Sequence, residues 1–279
     1  MNYHSAGSSL LELLVQMQNV FRDEKFRPAG YEVSISPEPK EGEFPALSLG
    51  NGSILCRGKI DRVDLYMDEM TRLLRVVDYK TGDKSLQPLK LGYGLDMQML
   101  IYLFALTQSG AFGGAEPSGV LYLPSGQLRQ KDYEARSVSS RAREEILGDY
   151  YRSRGLLLES AAQFMDPRIR ESAKPVRMAK DKDTLFTVTQ EQMEHLGEHV
   201  RSAICNMADH LRAGEIAPVP RRFQQDSPCT YCAFSDLCGK ADVTSLSLTK
   251  EEKNAALDTA FGKEEPDDAE MDESAEASH

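Results

Sequence analysis

The pattern of apolar and polar positions divides the chain into two regimes. Residues 8–24, SSLLELLVQMQNVFRDE, carry apolar residues at helical spacing behind a serine able to cap, and Pro28 and Gly30 close the helix this predicts. YEVSIS (31–36) alternates as a strand, PEPKEGEFP is a polar, Pro-rich loop, PALSLG is a further strand, and SILCRGKIDRVDLYMD is a long one. TRLLRVVDYK (71–80) pairs with that long strand as a hairpin across DEMT, so a run of antiparallel strands is expected from 31 to 80. After residue 90 the period changes. LGYGLDMQMLIYLFALTQSG (91–110) is apolar around much of a helical circumference and predicts a buried helix. PSGVLYLPSG returns as a strand, and helices are expected near 137–154, 157–165 and 189–213. Thr189 and Gln192 form a capping box at the head of the last of these, and Gly214 is its stop. The order predicts an α/β domain with a mixed central sheet flanked by helices, over residues 1–245.

Composition adds bounds rather than chemistry. With 41% hydrophobic and 28% charged residues, the chain has the make-up of an ordinary soluble protein. No apolar run approaches the roughly 18–20 residues of a membrane span, and no basic segment precedes the first apolar residues as in a signal peptide, so a cytoplasmic protein without membrane contact is expected. The net charge of −11 is concentrated at one end: residues 250–279 carry eleven acids and three lysines, net −8. Residues 246–279 are therefore expected to be an acidic disordered tail. The body is nearly neutral, which neither announces nor excludes a nucleic-acid partner.

Chemistry enters with GKIDRVD (58–64) and VVDYKTGD (76–83). In a strand, residues two apart share a face, so Asp78 and Lys80 point the same way at the end of a buried strand. The hairpin register brings Asp61 beside Asp78. Two neighbouring carboxylates repel, and a hard divalent cation compensates them naturally. A lysine on the same face stabilises developing negative charge or orients a water, which together make a site for phosphate hydrolysis. The plain alternative is a solvated Asp78–Lys80 pair leading into a turn, with Asp61 held by Arg62 or Arg75. Gln98 and Tyr102, one helical turn apart, could reach back over such a site; alone, they read more simply as a buried tyrosine with a satisfied hydroxyl.

GKIDRVD, VVDYKTG and QMLIY, in this order, resemble the nuclease domains of the PD-(D/E)xK superfamily in its RecB-like branch, with a restriction-endonuclease-like core. The wider frame looks most like the C-terminal nuclease domain of AddB/RexB-type subunits of ATP-dependent helicase–nucleases, over about residues 10–240. The resemblance implies that Asp61 and Asp78 ligate Mg²⁺ or Mn²⁺, with the carbonyl of Tyr79 as a further ligand. Lys80 would position the attacking water, and Gln98 and Tyr102 would support the metal shell or the DNA backbone. It further implies a DNA exonuclease acting on single-stranded ends in double-strand break repair and recombination, in a heterodimer with an AddA/RexA-like helicase subunit. A stand-alone Cas4-like nuclease and a DNA-binding scaffold that has lost its chemistry are the alternatives. Such nucleases carry a His or an acid on a helix upstream of the sheet; His4, Glu12 and Glu32 are weak substitutes for it.

Cys229, Cys232 and Cys238 place three thiols within ten residues of a loop (229–239), a spacing suited to a metal or iron–sulfur site. A small zinc-binding interaction protein is a third reading built on these residues alone. The family resemblance implies a [4Fe–4S] cluster in the full-length protein, its fourth cysteine lying upstream of this chain. Cys56 and Cys205 read as core cysteines. The missing cysteine and the missing upstream acid agree in suggesting a chain that begins inside a larger protein.

Overall fold

A computed structural model of the chain describes residues 14–125 and 152–263, apart from positions 16, 20, 51, 83, 179, 181, 182, 216, 225, 239–243 and 246–248. Residues 14–15, 17–19 and 21–23 are helical and are labelled α1. The strands that follow are β1 (Arg27–Ser36), β2 (Phe44–Pro45), β3 (Leu47–Leu49), β4 (Ile54–Cys56), β5 (Gly58–Met67) and β6 (Arg72–Lys80). Next come α2 (Pro88–Gly92), α3 (Gln98–Gln108), β7 (Glu116–Pro124), β8 (Arg154–Leu158), α4 (Glu159–Ala162), α5 (Pro167–Ser172), β9 (Lys174–Pro175), β10 (Leu185–Val188), α6 (Gln190–Arg212) and, at the end, α7 (Lys250–Phe261).

Eight strands form one sheet in the order β2-β1-β5-β6-β7-β8-β10-β9. It is mixed, as expected: β1, β5 and β6 run antiparallel, and β6 and β7 run parallel. The central strands are apolar on both faces, with Val63, Leu74, Val76, Val77 and Val120 fully buried. Helices therefore cover both sides, as a strand without a wet face requires. Each such side chain contributes roughly 1.5–3 kcal/mol by burial.

Several boundaries differ from the pattern reading. The long strand expected from SILCRGKIDRVDLYMD is two strands. β4 pairs with β3 in a separate two-stranded sheet, and β5, the part of this segment in the main sheet, begins at Gly58. The helix expected over 91–110 is broken, because Gly94 and Asp96 both adopt positive φ between α2 and α3. Residues 137–151 of one expected helix lie outside the described residues, whereas 154 and 157–158, read as the ends of two helices, belong to strand β8. The LLL run of β8 satisfies either period; β7 settles it by pairing antiparallel with β8. Gly155 makes that pairing possible. A Cβ there would lie 2.0 Å from the Val120 carbonyl oxygen, and its φ of +142° is uncommon for other residues. Gly155→Ala is expected to cost about 2–3 kcal/mol and lower Tm by about 5–10 °C, measured by circular dichroism.

The tail also needs correction. Residues 250–261, placed by composition in a disordered segment, form α7, capped reciprocally by Thr249 and Glu252. Helix α7 packs on α2 and α6 and buries Ala256, Ala260 and Phe261. Three small or aromatic residues at helical spacing were outweighed by the surrounding charge in the compositional reading. Among the described residues no helix is long and apolar enough to cross a membrane.

Candidate active site

Strands β5 and β6 stay in register from Met67↔Arg72 to Arg62↔Val77 and part beyond that pair. Side-chain alternation puts Asp61, Asp78 and Lys80 on one face at the parting, and Arg62, Asp64, Arg75 and Tyr79 on the other. The Asp61 carboxylate accepts a hydrogen bond from the Tyr79 main-chain N–H at 2.9 Å, which ties the two diverging strands together. Lys80 Nζ lies 2.7 Å from Asp78 Oδ2. Asp78 Oδ2 is buried, and the Lys80 ammonium is its close ionic partner. A half-exposed ammonium and a buried carboxylate thus form an ion pair at one edge of the parting strands.

Tyr122, the β7 neighbour of Asp78, completes the floor, with Lys80 Nζ 6.0 Å from its ring centre. Burial pushes the Tyr122 phenol well above its ordinary range, and the nearby negative charges of Asp96 and Asp78 push it further. Tyr122 is therefore a neutral hydroxyl at this edge at any physiological pH. Asp96, just ahead of α3, has a φ of +57° and accepts from Lys84 Nζ at 2.8 Å, with Lys90 Nζ at 3.7 Å. Neither Tyr122 nor Asp96 stands out in the sequence; the strand register finds the first, but nothing short of the break between α2 and α3 finds the second.

Gln98 Nε2 donates to the Tyr102 hydroxyl at 2.9 Å, so the expected pair does form. The Tyr102 ring lies against Gly58, where a Cβ would come within 2.2 Å of it. The pair therefore borders the site through β5, three residues before Asp61. Among the described residues it makes no hydrogen bond to Asp61, Asp78 or Lys80. Of the three upstream substitutes, His4 and Glu12 lie outside the described residues, and Glu32 is exposed and ion-paired with Lys59.

The opposite face carries an ion network that the sequence reading assigned differently. Arg62 and Arg75 both engage Asp64, not Asp61: Arg75 Nε and Nη2 donate to Asp64 Oδ2 at 2.9 and 2.6 Å, and Arg62 Nη2 donates to it at 3.0 Å. Arg75 also donates to Glu24, the last residue but two before β1, and Arg62 donates to the Tyr79 hydroxyl. All four charged groups are at most 2% exposed. The two carboxylates hold the Arg75 guanidinium above its already high range, outweighing the cost of burial. Burial raises the Tyr79 phenol, although Arg62 beside it acts in the opposite sense. The network fixes Tyr79 from behind, and Tyr79 fixes Asp61 from its main chain.

For a divalent cation, the donor set fits. Asp61 and Asp78 are hard oxygen donors on one face, and a cation there would share the Asp78 carboxylate with the Lys80 ammonium. No group of three or more His, Cys, Asp or Glu side chains converges among the described residues, so a full ligand set needs main-chain oxygen or water as well. The cysteine loop is soft-donor chemistry of the right kind, but its thiols do not converge among the described residues: Cys229 is half-buried, and Cys232 and Cys238 are exposed. Cys56 and Cys205, by contrast, pack against the core, as read from the sequence. Burial and the neighbouring Cys205 thiol push the Cys56 thiol up. Maleimide at pH 7 is therefore expected to label Cys232 and Cys238 first. Labelling of Cys56 should lag and keep accelerating as pH rises past the ordinary thiol range, read by peptide mass mapping.

A sheet that parts beside an Asp…Asp-x-Lys face defines a class of phosphodiesterase fold. The model of the PD-(D/E)XK nuclease superfamily matches residues 4–239, and the chain belongs to that superfamily. It is 35% identical over 231 residues to the B subunit of the ATP-dependent helicase/deoxyribonuclease of Desulforudis audaxviator, covering 78% of this chain and 19% of the relative. It is 30% identical over 230 residues to the protein of the same name from Clostridium acetobutylicum (78% and 20%), and 28% over 250 residues to that of Listeria welshimeri (82% and 21%). The chain thus spans about a fifth of the length of these relatives.

Proposed function

We propose that the chain is the nuclease region of an AddB-type subunit and hydrolyses phosphodiester bonds of DNA from single-stranded ends, with Mg²⁺ or Mn²⁺. The observation that carries this reading is the shared face of Asp61, Asp78 and Lys80, with the Lys80 ammonium 2.7 Å from the buried Asp78 Oδ2. Asp61, Asp78 and the Tyr79 carbonyl would hold the cation. When bound, it would polarise the scissile phosphate and lower the pKa of a ligated water. The Lys80 ammonium holds the attacking water in line and meets the negative charge that builds on the phosphoryl oxygens. Tyr79, clamped by Arg62, keeps the Asp61 carboxylate aimed at the face. Gln98 and Tyr102 brace β5 at Gly58 and support the site indirectly.

The relatives are named as B subunits of an ATP-dependent helicase/deoxyribonuclease, which supports a helicase partner; on this reading that partner delivers single strands during the processing of double-strand breaks. Cys229, Cys232 and Cys238 would join a cysteine from elsewhere in the longer protein around a [4Fe–4S] cluster. The chain would act in the cytoplasm. To test the nuclease, linear end-labelled and circular single-stranded DNA are incubated with the chain in Mg²⁺. Label should leave the linear strand as short products, with circles resistant and EDTA inhibitory. Intact linear DNA in both Mg²⁺ and Mn²⁺ would overturn the reading.

A further inference from the structure

We infer that helix α1 and the residues that follow it aim the Asp61 carboxylate, with Phe21 and Glu24 as positioning residues that act through Arg62, Arg75 and Tyr79. The inference deepens the nuclease reading and rests on it for what Asp61 would hold.

Asp61 stands just beyond Arg62↔Val77, the pair at which the β5–β6 register ends. Among the described residues its carboxylate has one hydrogen bond, from the Tyr79 main-chain N–H at 2.9 Å. The aim of the carboxylate therefore follows the placement of Tyr79. Tyr79 is held from the opposite face, where Arg62 donates to its hydroxyl and the guanidinium lies 5.4 Å from its ring centre.

Both arginines are in turn held by one short segment outside the strands. The Phe21 ring, in the last turn of α1, has its centre 5.3 Å from the Arg62 guanidinium. Glu24 pairs with Arg75, and the Phe26 ring centre lies 4.5 Å from the Arg75 guanidinium. Asp64 joins the two cations, accepting from Arg62 Nη2 at 3.0 Å and from Arg75 Nη2 at 2.6 Å. A guanidinium can stack on an aromatic face and hydrogen-bond at its edge at the same time. Phe21 thus covers Arg62 while the edge of Arg62 reaches both Asp64 and Tyr79. The segment is itself tied down, since the Lys25 main-chain N–H donates to the Phe164 carbonyl at 2.8 Å.

A network that served stability alone could end within the core. This one ends on the residue whose main chain holds Asp61, and it begins on α1. Removing the Phe21 ring uncovers Arg62, and neutralising Glu24 loosens Arg75 and the Asp64 that Arg62 shares. Either change frees Tyr79, and with it Asp61. Groups that orient a metal ligand from behind in this way typically matter about 10–100-fold in affinity or activity.

Amide hydrogen exchange of the whole chain in EDTA, resolved by nuclear magnetic resonance, reads the coupling without metal or cutting. Exchange at the Tyr79 N–H should quicken about tenfold or more in Phe21→Leu and in Glu24→Gln, with Val76 and Val120 at wild-type protection. Phe21→Tyr, which keeps the ring, should match the wild type. In Phe21→Leu and Glu24→Gln, Mn²⁺ affinity followed by electron paramagnetic resonance should fall about 10–100-fold. Their kcat for strand cleavage should fall with KM for DNA unchanged. Wild-type exchange at Tyr79 in both variants would overturn the inference. So would equal quickening at Val76 and Val120, which would make the contacts a matter of general stability, or unchanged Mn²⁺ affinity beside faster Tyr79 exchange. A wild type that neither binds Mn²⁺ nor cuts would overturn the nuclease reading instead, and the exchange rates would still decide whether α1 holds Tyr79 and Asp61.

Discussion

Replacing Lys80 by alanine is expected to lower Mg²⁺-dependent strand cleavage by about 10²–10³-fold. The ammonium is the only cation in contact with the Asp78 carboxylate among the described residues, and it lies on the face where Asp61 converges. On the proposed mechanism, loss of the side chain removes the group that meets charge building on the phosphoryl oxygens, whereas ground-state packing changes little. The side chain is 36% exposed and its pair spans only two residues of one strand, so Tm should move by no more than a degree or two. Lys80→Arg should recover only part of the rate, since a planar fork replaces a compact point charge. Single-turnover cleavage of an end-labelled strand measures both. A variant that cuts at the wild-type rate would remove Lys80 from the chemistry.

The second large effect concerns stability. Arg75→Met should cost about 3–5 kcal/mol, and about 6–20 °C in Tm, because it strands buried carboxylates without their cation. Arg75 serves Glu24 and Asp64 at once, from strand β6 to the segment ahead of β1, and both acids are almost wholly excluded from water. Glu24→Leu/Arg75→Met should be less damaging than Arg75→Met alone, since one stranded charge leaves with its partner. Thermal melts of the three proteins decide it. If Arg75→Met alone melts within a degree or two of the wild type, the network carries no stability. The cost should also reach the site, because Arg62 shares Asp64 with Arg75 and clamps Tyr79, whose main chain holds Asp61.

How much of this was readable in advance follows from period and register. The β5–β6 hairpin could be read because two alternating strands flank a short polar turn, and its register fixes Asp61, Asp78 and Lys80 on one face. That same register contained the buried network. Arg62, Asp64 and Arg75 alternate with the candidate site positions and so belong to the opposite face, but charged residues within apolar strands suggested partners for Asp61 instead. Glu24 could not be found from pattern, since it sits outside any strand and is paired 51 residues away. Strand β8 was misread because GLLLE lacks a decisive period, and its identity depends on β7 approaching Gly155. Helix α7 was hidden by charge, its buried residues being few and mostly alanine. Asp96 depends on a left-handed turn between two helices that a continuous apolar run concealed.

The measurement closest to the central claim combines metal uptake with cutting in the same samples. The chain is titrated with Mn²⁺, free ion is followed by electron paramagnetic resonance, and end-labelled single-stranded DNA in each sample is resolved by length. The wild type should bind Mn²⁺ and shorten the strand, Asp78→Asn should lose both, and Lys80→Ala should keep the ion and lose the cutting. Mn²⁺ uptake and cleavage by Asp78→Asn at wild-type levels would contradict the assignment of this face as the metal-dependent nuclease site.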